Sequence, residues 1–94
     1  MAVFDSGETI ICSITVKDSD AALQDPSTSM NVKVECMKPV YEEVVAATAM
    51  TKDSTGTYHY DFQSASKKLG EYMVTYIATD GTRITIESDT FEVK

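Results

Sequence analysis

Along most of this chain apolar side chains occupy every second position, the period of a pleated strand with one covered face and one wet face. In TIICSITVK (9–17), Ile10, Cys12, Ile14 and Val16 share one side, and Ile11, Ser13, Thr15 and Lys17 the other. In MNVKVECM (30–37), Val32, Val34 and Cys36 point one way, and Lys33, Glu35 and Met37 the other. In TYHYDFQ (57–63), Tyr58, Tyr60 and Phe62 form an aromatic row at i, i+2 and i+4, which places them in a core. His59, the one histidine, then alternates outward beside Thr57, Asp61 and Gln63. VYEEVVAATAM (40–50) is the ambiguous segment, because its alanines would suit a helix. Its β-branched Val44, Val45 and Thr48, the lack of a clean cap and a length of only about three turns favour a strand.

Turn signals separate these runs. The stretch DSDAALQDPSTS (18–29) reads as a long, solvated acidic loop. Its aspartates lack the glycine and distal glutamate of a calcium loop. Pro39 ends the strand before it, and Lys52 to Gly56 read as a polar turn. In EYMVTYIATDGTRITIE (71–87), a three-residue loop of Thr79, Asp80 and Gly81 would pair Tyr76 with Ile84 and Val74 with Ile86, giving one uniformly apolar face. Ile84 and Ile86 are even-numbered whereas Phe91 and Val93 are odd, so keeping all four inward requires a bulge near Ser88 to Thr90. With a short first strand around Val3 and Phe4, about seven strands are predicted, turns recur every ~8–14 residues, and no helix stands out. This pattern predicts an all-β fold, an immunoglobulin-like two-sheet antiparallel sandwich spanning residues 1–94 as a single domain. A closed barrel is the alternative.

Charge narrows the range of functions. Eight Lys and Arg against fifteen Asp and Glu give a formal net charge of −7, and the cationic residues are scattered rather than striped, so no nucleic-acid partner is expected. The opening MAVFDSGETI has no basic segment followed by a long apolar run, and nowhere are there ~18 consecutive apolar residues. Neither a signal peptide nor a membrane span is therefore expected. Cys12 and Cys36 sit on the apolar side of their strands, where a reduced thiol behaves as a small hydrophobe; free buried thiols are the preferred reading and a single bridge the alternative. Two cysteines and one distant histidine supply too few ligands for a metal site, and no cofactor is expected. The four glycines, Gly7, Gly56, Gly70 and Gly81, all fall at predicted turns, which leaves no phosphate loop or dinucleotide fingerprint. His59 has no nucleophile motif around it, and acidic pairs on so acidic a surface arise by chance, so a non-enzymatic role is expected.

The outward residues carry the remaining signal. On the sheet expected to hold the strands at 30–38, 70–79 and 82–94, outward positions include Met37, Met73, Thr75, Ile77, Arg83 and Thr85. The opposite sheet would show Ser13, Thr15, Lys17, His59, Asp61 and Gln63, with Ile11 as an exception. Scattered apolar surface residues are ordinary. A cluster of methionine and isoleucine marks a protein contact, and Met37, Met73, Thr75, Ile77 and Arg83 are the candidate contact residues.

Five stretches carry a family resemblance: VFDSGETI at the start, DPST before the strand at 30–37, KDSTGTYHYDF, LGEYMVTYIATDG, and DTFEV at the end. In this order, spanning nearly the whole chain, they resemble the small immunoglobulin-like structural proteins of tailed phages, archaeal tailed viruses and related proviruses. The resemblance implies a stand-alone protein made in the host cytoplasm and incorporated into the virion as a decoration, head or tail component. Its partner would be a protein, such as a capsid or tail lattice, with the isolated domain a monomer. The glycine-then-tyrosine turn-strand and the TDG hairpin are also similar to bacterial immunoglobulin-like and macroglobulin-type modules. That likeness implies the alternative of an adhesive or spacer module from a larger cell-surface protein.

Overall fold

The computed structural model describes residues 2–17, 23–26, 28–38, 40–65 and 67–94. Eight strands form in chain order: β1 (Ala2–Phe4), β2 (Thr9–Thr15), β3 (Ser29–Lys38), β4 (Glu42–Ala49), β5 (Thr51–Ser54), β6 (Thr57–Gln63), β7 (Gly70–Asp80) and β8 (Arg83–Val93). They make a five-stranded sheet in the order β1-β8-β7-β3-β4 and a three-stranded sheet in the order β2-β6-β5. All pairings are antiparallel except β1 with β8, which run parallel. The segment at 42–49 is a strand, as its β-branched residues predict. The extra strand relative to the sequence expectation is β5, formed by residues assigned there to a turn; only Thr55 and Gly56 turn the chain. Asp18 to Ala22, Ser27 and Pro39 lie outside the described residues, and with them half of the expected acidic loop at 18–29. β3 stops at Lys38, immediately before that proline.

In this connectivity β2, β6 and β5 take the places of immunoglobulin strands B, E and D, and β3, β4, β7 and β8 those of C, C′, F and G. A tyrosine corner supports the assignment: the buried Tyr72, near the start of β7, donates its hydroxyl to the Lys68 carbonyl oxygen at 2.5 Å. Two residues further on, where antibody domains carry the second cysteine of their intersheet disulfide, stands Val74. Cys12 on β2 therefore has no thiol waiting at that position, and both Cys12 and Cys36 are free and buried.

The alternating rows predicted to face inward do so. Ile10, Cys12, Val32, Val34, Cys36, Tyr58, Phe62, Tyr72, Val74 and Tyr76 are buried, with Tyr60 and Ile14 packed at the margin. Phe62 reaches across from the small sheet to Tyr72 and Phe91, with ring centroids 5.7 and 5.9 Å away. Tyr72 and Phe91 are cross-strand partners whose rings stack at 5.3 Å. Phe4 of β1 meets Phe91 edge-on at 6.0 Å. This aromatic group binds the two sheets at the end of the sandwich where β1 also attaches.

At the opposite end Asp25 organises the backbone. Its carboxylate accepts from the Lys52 ammonium at 2.6 Å, the Gly56 N–H at 2.8 Å and the Tyr58 hydroxyl at 3.0 Å. Gly56, at φ +74°, also accepts through its carbonyl from the Val16 N–H at 2.7 Å. Segment 23–26 is thereby fastened to the β5–β6 turn.

The β7–β8 hairpin departs from its predicted register. Asp80 pairs with Arg83, so the loop is the two-residue Gly81–Thr82, with Gly81 at φ +65°. The ladder then runs without interruption from that pair to Gly70 opposite Val93. No bulge forms at 88–90; the conflict of parity is resolved by turning two isoleucines outward. Phe91 and Val93 keep the core positions, with Asp89, Glu87, Thr85 and Arg83 on their side of the strand. Ile84 and Ile86 face away. Phe91 packs against Phe62 of the small sheet, whereas residues 83–90 are all exposed and Thr85 and Glu87 open onto a cleft shared with Ile14 and Val16, so inward isoleucines at 84 and 86 would gain little cover.

Candidate protein-contact face

The outer surface of the five-stranded sheet is built from cross-strand rows. One row joins Glu35, Met73 and Thr90, the next Lys33, Thr75 and Ser88, and the next Asn31, Ile77 and Ile86; Ile84 lies beyond, opposite Thr79. Ile84 and Ile86 are 63% and 62% exposed. Together with the half-buried Ile77 and Met73 they form the apolar part of this face.

The five residues expected to make a contact do not all lie together. Met73 and Ile77 are on the outer face and half-buried, as alternation along β7 requires. Thr75 has the predicted orientation but is only 5% exposed, closed in by its row neighbours, with its hydroxyl 3.5 Å from that of Ser88. Met37 is exposed at an irregularity of the β3–β7 pairing between Cys36 and Lys38, at the far end of the sheet. Arg83 is exposed but belongs with Thr85 to the opposite side of β8. The residues missed were Ile84 and Ile86. Their parity relative to Phe91 and Val93 was the signal that could have found them.

Polar groups close the rest of the face. Glu35 is buried on it, accepting the Tyr41 hydroxyl and lying 3.7 Å from the Lys33 ammonium. Its carboxylate, by holding that proton, pushes the Tyr41 phenol above its ordinary range.

The edges of the sheet matter as much as its face. β1 pairs with β8 only at Phe91, Glu92 and Val93, so among the described residues no strand borders 83–89 on that side. All of 83–90 are exposed. β2 is also an edge strand, of the small sheet. A cleft of ≈ 570 Å³ lies at this flank, lined by Val16, Lys17, Asp25, Ala78, Arg83 and Thr85 among others.

On the outside of the small sheet, His59 faces outward and is half-covered, its Nδ1 2.7 Å from Asp53 Oδ1 and its Nε2 3.8 Å from Asp61 Oδ1. Ser13 is its cross-strand neighbour on β2. This arrangement fixes an imidazole on an open sheet surface. Among the described residues no group of three or more His, Cys, Asp or Glu is placed to hold a metal. Comparison with protein-family models, curated proteins and solved structures returned no match.

Proposed function

We propose that this chain is a non-enzymatic structural or accessory protein of a virion, a decoration, head or tail component, that works by holding to another protein. The observation that carries the association role is the exposed Ile84 and Ile86 on the outer face of the five-stranded sheet, Ile86 directly opposite the half-buried Ile77. Burying one such side chain contributes about 1.5–3 kcal/mol. A small contact of this kind is weak for one copy and becomes firm when many copies sit on a repeating lattice. The viral setting rests on the sequence resemblance.

The experiment is co-sedimentation with assembled particles of the source virus or provirus. Wild-type chain is expected to sediment with them, and the double variant Ile84→Glu/Ile86→Glu to remain in the supernatant with an unchanged circular dichroism spectrum. Wild-type protein that associates with no virion or capsid overturns the viral assignment; a double variant that sediments normally overturns the assignment of the face.

A further inference from the structure

We propose that the partner is captured as an added β-strand along the open edge of β8, and that the strand it fits is an extended segment alternating apolar and basic residues. This inference rests on the association role proposed above and names the partner's chemistry. Lys94, just past β8, donates its N–H to the Phe4 carbonyl and accepts from the Ser6 N–H, each at 3.0 Å. Even-numbered residues therefore direct their backbone groups toward β1. N–H and C=O of one residue point to the same side of a strand, alternate residues point oppositely, and the β7–β8 ladder has no register shift. Hence Ile84, Ile86 and Ser88 present their N–H and C=O groups to the edge that β1 leaves uncovered, while Thr85, Glu87 and Asp89 bond to β7; the Thr90 N–H is already engaged, donating to Asp89 Oδ1 at 2.8 Å.

Other edges of the molecule are guarded or less apolar. β4 is interrupted by register shifts against β3. β5 has four residues, TKDS, and a register shift of its own. β2 is regular, but its outward row Thr9, Ile11, Ser13 and Thr15 offers a single apolar side chain. Proteins commonly blunt edges with bulges, charges and short strands. On β8 the guard is a pair of carboxylates, Glu87 and Asp89, on the side of the strand turned toward the small sheet, neither in an ion pair among the described residues.

Those carboxylates select the occupant. A second copy adding its own β8 antiparallel with Ile86 opposite Ile86 would set each Arg83 across from the other copy's Asp89 but leave both Glu87 carboxylates facing Thr85, so self-pairing neutralises only half of the row. A strand with basic residues on that face and apolar residues on the other would neutralise Glu87 and Asp89 and lie beside Ile84 and Ile86. Main-chain bonds then supply affinity and alternate side chains supply selection, as in other strand-addition complexes.

The test uses the full chain and a capped nine-residue peptide alternating isoleucine and lysine, followed by hydrogen exchange and chemical-shift changes at backbone amides. Without peptide, the amides of Ile84, Ile86 and Ser88 are expected to exchange fast and those of Thr85, Glu87 and Asp89 slowly; with peptide this even set becomes protected. N-methylation of the peptide's isoleucines should weaken binding more than about tenfold if the strand adds antiparallel, and methylation of its lysines if it adds parallel, the other set being tolerated. Glu87→Gln/Asp89→Asn should weaken the lysine peptide at least about tenfold, and an isoleucine–glutamate peptide should not bind. Three results overturn the inference: no protection of the even set, equal tolerance of both methylated peptides, or protection that grows with protein concentration in the absence of peptide, which would mean self-pairing. Loss of particle co-sedimentation in Ile84→Glu/Ile86→Glu together with no edge protection leaves the association role standing and rejects the added strand.

Discussion

Truncating Phe62 to alanine tests whether the two sheets are held by the aromatic group between them. Phe62 is 1% exposed and is the small sheet's contribution to a set that includes Tyr72 and Phe91 of the large sheet. Removing a buried phenylalanine ring costs about 3–5 kcal/mol through lost transfer energy and the cavity left behind. Two aromatic contacts, each worth ~0.5–1.5 kcal/mol beyond area, place this site toward the upper end, about 4–5 kcal/mol. Domains of this kind have a total stability of about 5–15 kcal/mol, and 1 kcal/mol is worth ~4–8 °C at this size, so the Tm should fall by roughly 15–40 °C. Urea denaturation followed by tyrosine fluorescence measures it, with the slope m unchanged if the transition remains two-state. Phe62→Leu, which keeps most of the volume and loses the ring contacts, should cost about 1–2 kcal/mol and remains measurable if the alanine variant is unfolded. The exposed neighbour Gln63→Ala should stay within about 0.5 kcal/mol. A Phe62→Ala loss below about 1.5 kcal/mol at constant m would refute the reasoning, since the sheets would then close without the ring.

Further outcomes are expected elsewhere. The Lys52 ammonium, followed by the Gly56 N–H and the Tyr58 hydroxyl, holds the Asp25 carboxyl down from 3.8 to about 2. A depressed pKa contributes stability that is present above the unfolded value and lost as pH falls toward the folded one. The Tm gap between wild type and Asp25→Asn should therefore narrow from pH 5 to pH 2; a constant gap refutes the role given to these contacts. Burial, with Asp89 and then Asp61 adding to it, pushes the Cys12 thiol up to about 11, so Ellman's reagent at pH 8 should label it only at the rate of unfolding, and a reducing agent should leave the Tm unchanged. Immediate labelling of native protein, or a large Tm drop on reduction, would contradict a free buried thiol. A Cβ on Gly56 would come within 2.7 Å of the Val16 carbonyl oxygen and 2.9 Å of the Gln24 nitrogen, whereas one on Gly81 meets nothing within 4 Å. Gly81→Ala should cost about 1–2 kcal/mol through its positive φ, and Gly56→Ala distinctly more; equal losses by thermal melting would show that the backbone around Gly56 can yield.

The period-two rows of residues 10–16, 32–36, 58–62 and 72–76 determined by themselves which side chains face inward, because a strand offers only two sides and only one set was apolar. That information was enough for an all-β sandwich, for the core aromatics and for the outward turn of His59. The strand at 42–49 was legible from its β-branched residues despite its alanines. β5 was not, because TKDS carries no apolar alternation, and its pairing with β6 depends on Asp25 drawing Lys52 and Gly56 into place from a distant segment. The β7–β8 register could not be read locally. The expected Thr79–Asp80–Gly81 loop and the observed Gly81–Thr82 turn both contain the glycine, and choosing between them depends on what lies beneath β8. Only the tertiary structure decides that: Phe62 of the small sheet packs on Phe91, while Thr85 and Glu87 face an open cleft, so the aromatic end of β8 takes the core and Ile84 and Ile86 are left outside. The candidate contact moved for the same reason. Met73 and Ile77 were readable from their own strand, but the apolar neighbour of Ile77, Ile86, belongs to β8, and a strand's face is fixed by the partner whose core it must cover.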